Sequence, residues 1–142
     1  MDDRLQKVIG SILPVKLNPP EPASAYAPSN IALSKYWGKR DAGLNLPLNS
    51  SLSVSLGKWG SHTAIAAATS EVDEVVFQGE RLSLDDPFAA KVVRFVDLFR
   101  RGQNLPLRIE SRNTIPTAAG LASSASGYCA LAQAVDRTFD LN

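Results

Sequence analysis

An α+β domain of two layers is the fold class this sequence predicts, on three observations. Residues Ser50–Leu56, "SSLSVSL", alternate polar and apolar with the period of a half-buried strand. The stretch "DDPFAAKVVRFVDLFRR" carries apolar residues at helical spacing behind a capping signal. The small-residue run "PTAAGLASSASG", Pro116 to Gly127, follows a strand pattern and opens a second helix.

Taken in order, "MDDRLQKVIGSILPVKLNPPEP" starts acidic, and its short apolar run is broken by Gly10 and Pro14. It fits neither a signal peptide nor a membrane span, so a cytoplasmic location is expected. Pro19, Pro20 and Pro22 make a stiff lead-in. The expected division is an N-terminal extension over residues 1–22 and a domain over 23–142.

"ASAYAPSNIALSKYW" reads as extended, interrupted at Pro28, with a helical turn possible after Asn30. The Ser50–Leu56 strand leads to Gly57-Lys58-Trp59-Gly60, which reads as a hairpin turn into a further strand, "SHTAIAAAT". "DEVVFQGERLSL" supplies another strand, with Gly79 at a turn. In the first helix, Asp86 suits the N-cap and Pro87 the first helical position. Phe88, Val92, Phe95, Val96 and Phe99 form one apolar stripe, and Arg100 and Arg101 sit where the helix dipole favours cations. Gly102 stops it. "LPLRIES" follows as a strand with Leu107 and Ile109 on one face. The last helix runs almost to Asn142 with nothing after it, so the domain is expected to be cut short.

Composition narrows the function classes. The formal net charge of +1 over 142 residues argues against a nucleic-acid binder, whose basic excess would cover a face. Cys129 is the only cysteine, which excludes an intrachain disulfide, and its apolar helical setting reads as a small buried thiol. His62 is the only histidine and reads as a surface or hairpin residue, so no His/Cys metal site is expected.

Two segments carry chemistry. In "PTAAGLASSASG", Gly120 permits unusual backbone angles, and Ala118, Ala119, Ala122 and Ala125 leave the backbone N–H groups open to an oxyanion. Ser123 and Ser124 add hydroxyls that can bond phosphate or help hold a metal ion, and the helix behind contributes unpaired donors and its positive end. The same run also suits a helix start packed tightly on a sheet. No Lys follows the glycine as a P-loop requires. The second segment, "KYWGKRDAGLNLPLNSSLSVSL", gathers Lys35, Lys39 and Arg40 around two aromatic rings at the mouth of a strand. Lysines are mostly solvated, the rings of Tyr36 and Trp37 also suit a core or rim, Asn30 after Pro28 also suits a turn or cap, and Arg40 with Asp41 reads as structural.

Together the segments resemble a known group. "PTAAGLASSASG" resembles the phosphate-loop motif of the GHMP small-molecule kinase superfamily, Pro-x-x-x-Gly-Leu-x-Ser-Ser-Ala. "APSNIALSKYWGKRDAGLNLPLNSSLSVSL" resembles the N-terminal signature of the diphosphomevalonate decarboxylase family within it. The likeness runs from about Ala23 onward and is weakest between Thr63 and Asn104.

The resemblance implies a GHMP-type N-terminal domain, a mostly antiparallel sheet packed against helices. It implies ATP as co-substrate with Mg²⁺, a small diphosphate substrate, and a homodimeric parent protein. The implied reaction phosphorylates a tertiary hydroxyl and then expels that phosphate with carbon dioxide to leave an alkene. Site roles carry over in the same way. Tyr36, Trp37, Gly38 and Lys39 match the run that contacts the substrate diphosphate, and Asn30 matches an orienting asparagine. Lys35 matches a lysine near the reacting centre, and Ser124 a serine that aligns the phosphoryl chain of ATP. Ala119, Gly120, Leu121, Ala122, Ser123 and Ser124 would hold the ATP phosphates around Mg²⁺, with Ser123 or Ser124 as its protein contact.

The chain departs from the family pattern in three respects. The family's catalytic aspartate, with the substrate-binding segment before it, lies in a C-terminal half not present here, so this chain alone is expected not to complete the reaction. The substrate arginine often found near the start of the Asp86 helix is unassigned among Phe88, Lys91 and Arg94, and residues before Ala23 exceed the usual start. Rival readings are a kinase acting on mevalonate or its phosphate without decarboxylation, a truncated nucleotide-binding module without chemistry, and a plain interaction domain.

Overall fold

Burial with a period of two defines the sheet. In β1 (Ala23–Ser34) Ala25, Ala27 and Ser29 are buried, and in β4 (Leu52–Ala67) Ser61, Thr63 and Ile65 are. In β7 (Leu107–Asn113) Leu107 and Ile109 are fully buried, on the one face expected. The computed structural model describes residues 3–35, 37–115 and 123–141. Among these, β5 (Glu74–Phe77) and β6 (Glu80–Leu82) complete a sheet of order β1-β4-β7-β5-β6. All its pairings are antiparallel except β5 with β7. A short ribbon, β2 (Lys39–Asp41) with β3 (Leu46–Pro47), stands apart.

The second layer is helical. α2 (Pro87–Arg100) and α3 (Ser123–Phe139) lay Ala89, Val92, Val96, Leu131, Ala134, Val135 and Phe139 on Ile65, Val75, Leu107 and Ile109. This is the two-layer α+β arrangement expected, with a mostly antiparallel sheet. α1 (Asp3–Ile12) precedes them. Its Ile9 is buried, Leu17 joins the main core, and the Asn18 side chain donates to the Phe139 carbonyl at 3.1 Å.

Local signals explain several elements directly. Asp86 caps α2, its Oδ1 accepting from the N–H groups of Phe88 (2.7 Å) and Ala89 (3.2 Å). Gln78 and Gly79, at φ 53° and 85°, form the two-residue turn between β5 and β6 that such positive angles suit. Arg101 ends α2 in the left-handed region.

Elsewhere the structure departs from the expectations. Gly57-Lys58-Trp59-Gly60 is no hairpin turn: β4 runs straight through it as one strand. Pro28 faces Gly60 and Asn30 faces Ser55, so two steps along β1 match five along β4. The surplus is a large bulge opposite buried Ser29, pinned by the Tyr26 hydroxyl donating to the Gly57 carbonyl at 2.5 Å. No helical turn follows Asn30, because β1 continues to Ser34 in partnership with β4. Pro28 is tolerated because β1 is an edge strand and the ladder is already broken there. His62 lies well inside β4, its ring 4.6 Å from that of Tyr26.

The buried face of α2 is rotated from the expected stripe. Ala89, Val92, Val96 and Arg100 are buried, whereas Phe88 is 40% exposed and packs at 4.7 Å on Phe77. Cys129 is exposed rather than buried, because the inward face of α3 is carried by Ser126, Ala130, Ala134 and Val135.

Arg100 is the unexpected core member. Its guanidinium donates to both oxygens of Asp73 at 2.8 Å, to Asp97 at 2.7 and 3.0 Å, and to the Leu105 carbonyl at 3.0 Å. Burial alone would push its pKa down, but the hydrogen bonds and charges of Asp73 and Asp97 outweigh this and raise it. Asp73 also accepts from the Leu107 N–H at 2.8 Å, which ties the end of α2 to the start of β7.

Asp73→Ala should cost about 3–5 kcal/mol in denaturant unfolding, because it strands a buried cation. A loss below about 1 kcal/mol would mean that the guanidinium escapes to water. Gly60 tolerates no side chain. A Cβ there would strike the Ala27 carbonyl oxygen and lie 2.7 Å from Pro28 Cα, both backbone atoms. Gly60→Ala should cost about 1–3 kcal/mol, read as a lowered melting temperature; an unchanged one would contradict the close strand approach.

Candidate functional site

The first turn of α3 is built from small residues. Ser123 opens it, Ser124 is exposed and Ser126 is buried, and no acidic side chain lies in the turn to offset the positive helix end. The unpaired N–H donors of such a turn favour an anion. Ser124 also lines a cleft of about 250 Å³ between α2 and α3. Phe88, Tyr128 and Leu131 give it apolar walls, Lys91 a cation, and Ser111 of β7 a hydroxyl. Phe88 and Tyr128 are 40% and 42% exposed, so their rings remain available to a flat ligand.

The turn is held to the sheet by buried hydroxyls. Ser61 donates to Asn113 Oδ1 at 2.7 Å, and its oxygen lies 2.9 Å from that of Ser126. One step away, the Gly60 N–H donates to the Thr114 hydroxyl, and the Thr114 N–H donates back to the Gly60 carbonyl, both at 2.9 Å. Thr63 and Ser111 form a further rung at 3.0 Å.

The cationic run lies elsewhere on the same end of the sheet. Beyond the bulge, β1 and β4 continue as a two-stranded arm. Ile31, Leu33, Leu52 and Val54 are exposed along it, while Asn30 and Ala32 share the opposite face with Ser55 and Ser53. Asn30 is half-buried opposite Ser55. Lys35 follows the arm and is exposed. Trp37 is 83% exposed, with its backbone N–H bonded to Asn49 Oδ1 at 3.0 Å. Gly38 adopts φ 83° and its carbonyl accepts from the Leu48 N–H at 3.2 Å, a turn that leads Lys39 into β2 opposite Pro47. Among the described residues Lys35, Lys39 and Arg40 carry no ion pair, and no group of three metal-ligating side chains comes together.

The structure therefore gathers Lys35, Trp37, Gly38 and Lys39 around one turn and places Ser124 in the cleft, with no contact between the two groups among the described residues. The C-terminal end of α3 lies against Ser24, whose carbonyl accepts from Arg137 at 2.6 Å, and its first turn lies by Ser61, opposite Ala27. Its N-terminus thus points along β1 towards the arm. Lys35 lies ~25 Å of extended strand beyond Ala27. Tyr36 and Ala119, Gly120, Leu121 and Ala122 lie outside the described residues. Sequence reasoning missed the cleft, because α2, β7 and α3 supply it jointly. Its traces were Ser124 and, near the start of α2, Phe88 and Lys91 from the unassigned set that also held Arg94.

A model of the diphosphomevalonate decarboxylase-like N-terminal domain matches residues 27–142. The diphosphomevalonate decarboxylase of Candida albicans is 42% identical over 133 residues, which cover 84% of this chain and 36% of that protein. That of Saccharomyces cerevisiae is 43% identical over 133 residues, covering 84% and 34%. The crystal structure of mevalonate diphosphate decarboxylase from Staphylococcus aureus superposes with a TM-score of 0.74 at 41% identity, covering 84% of this chain and 37% of that one. A structure described as MDDEF in complex with MVAPP, AMPPCP and magnesium superposes at 0.66 with 34% identity, covering 85% and 37%. The chain spans about a third of the length of the relatives it matches.

Proposed function

The chain belongs to the diphosphomevalonate decarboxylase-like family, and from that premise we propose that it serves the ATP-dependent decarboxylation of mevalonate 5-diphosphate to isopentenyl diphosphate. The observation that carries this is Ser124: an exposed hydroxyl on a helix start without acidic residues, opening on a cleft with aromatic walls and a lysine. Those are the parts a nucleotide needs. Its phosphates take the backbone donors and the Ser124 hydroxyl, and its flat base lies between Phe88 and Tyr128.

In this reading, the substrate diphosphate meets Tyr36, Trp37, Gly38 and Lys39, where Lys39 supplies charge and Gly38 leaves room for the backbone to approach. Asn30 orients the substrate, and Lys35 offsets charge on the phosphoryl group in transfer. The tertiary hydroxyl gives its proton to a general base as its oxygen takes the terminal phosphoryl group of ATP, leaving ADP. That phosphate then departs with the C–O electrons, while the carboxylate carbon leaves as carbon dioxide and its bonding electrons form the alkene. Two polyanions must approach each other for this, and fixed cations offset their repulsion. Mg²⁺ arrives with ATP. The hydroxyl of Ser123 or Ser124 would be its protein contact, and the ion would offset charge on the phosphates.

Calorimetric titration of this chain tests the reading. Mg-ATP should bind and raise the melting temperature at millimolar concentration. Ser124→Ala should weaken it about tenfold, the cost of a hydrogen bond to a charged group. Lys39→Ala should weaken mevalonate 5-diphosphate and leave Mg-ATP unchanged. Absence of any Mg-ATP effect, or equal nucleotide affinity in Ser124→Ala, would overturn the assignment.

A further inference from the structure

We infer that Ser61, a buried residue of β4 far from the cationic run, is a positioning residue for the nucleotide site; this rests on the reading that the first turn of α3 holds ATP phosphates. Ser61 is 1% exposed, and its hydroxyl meets Ser126 within that turn and Asn113 of β7. It has one proton, which goes to Asn113 Oδ1 at 2.7 Å. The same hydroxyl oxygen also lies 2.9 Å from that of Ser126, within hydrogen-bond distance. The result is a hydrogen-bonded chain, Ser126, Ser61 and Asn113, that links α3 to β4 and β4 to β7 through one oxygen. Each bond polarises the next, so the chain acts as a unit.

Its place in the fold gives the chain a functional rather than a general role. Ser126 is two residues beyond Ser124, within the same first turn of α3. Thr114, the next residue after Asn113, is bonded to Gly60 through both its backbone and its hydroxyl. The segments on either side of residues 116–122 are thus fixed to one dipeptide, Gly60-Ser61. Gly60 fixes that dipeptide in turn against the backbone of Ala27 and Pro28. A site that binds charge by oriented dipoles depends on their aim, and the hydroxyl of Ser61 sets the aim of this turn without touching ligand.

The test compares Ser61→Ala and Ser126→Ala with Ser124→Ala and with Val75→Ala, a core truncation away from the site. Amide exchange at residues 124–128 and Mg-ATP affinity by calorimetry are measured alongside the melting temperature. Ser61→Ala and Ser126→Ala should each speed exchange in that turn and weaken Mg-ATP about threefold to tenfold. The double variant should be no worse than either single one. Val75→Ala should lower the melting temperature and leave affinity unchanged. Ser61→Ala that lowers the melting temperature but keeps wild-type exchange and affinity, while Ser124→Ala weakens binding, overturns the positioning role alone. Wild-type affinity in Ser124→Ala as well overturns the nucleotide reading and the positioning role with it.

Discussion

The approach of β4 to β1 at Gly60 is the contact on which the rest of the molecule is arranged. The absence of a side chain lets two backbones close to a distance at which a methyl group would overlap the Ala27 carbonyl. With the strands that near, Ser61 on the inner face is brought under α3, and Thr114 can exchange hydrogen bonds with the glycine itself. On one side of this step the sheet is regular and covered by helices. On the other, the bulge from Leu56 to Trp59 breaks the ladder, and the arm carries Asn30 and Lys35 clear of the core. Core and arm therefore meet at one residue, and the direction of each is set there.

A second constraint closes the opposite edge. Arg100 is buried against Asp73 and Asp97, and its charge is tolerable only because the geometry fills nearly every donor. Apolar packing alone would leave α2 free to slide along β5 and β7. The bidentate pair, with the Leu107 N–H on the same carboxylate, specifies one register. That register brings Phe88 and Lys91, at the other end of α2, to the cleft beside Ser124. A salt bridge at one end of α2 thus bears on the shape of the cleft at its other end.

What could be read from the sequence follows the distance over which each feature is decided. The Asp86 cap, the Gln78-Gly79 turn and the Leu107/Ile109 face are settled within a few residues, and all stand as expected. Gly57–Gly60 is settled elsewhere. Two glycines between strand patterns look alike whether the chain reverses or bulges, and the register of β1 decides between them. Arg100 at a helix end fits the dipole equally well in water, and only Asp73, 27 residues away, draws it inward. In the part of α3 around Cys129 the buried positions are Ser126 and Ala130, so hydrophobicity could not tell which side Cys129 would take. Lys35, Lys39 and Ser124 were singled out by their local residue pattern and given roles by family likeness, whereas the cleft needed three elements to be in place before it existed.

The chain's near-neutral charge conceals how its cations are distributed. With a net charge of +1, it has too little excess charge to attract polyanions as a whole. Among the described residues, however, several acids are paired with arginines: Asp73 and Asp97 with Arg100, and Glu74 with Arg81 and Arg108. Lys35, Lys39 and Arg40 are left without such partners among the described residues. An unpaired ammonium acts over about a Debye length, 8–10 Å at ordinary ionic strength, so its field is felt locally whatever the total. The first turn of α3 follows the same rule with partial charges, since it carries no acid of its own. A nearly neutral total is therefore compatible with local groups of unpaired cations, because pairing elsewhere in the fold takes up several of the acids.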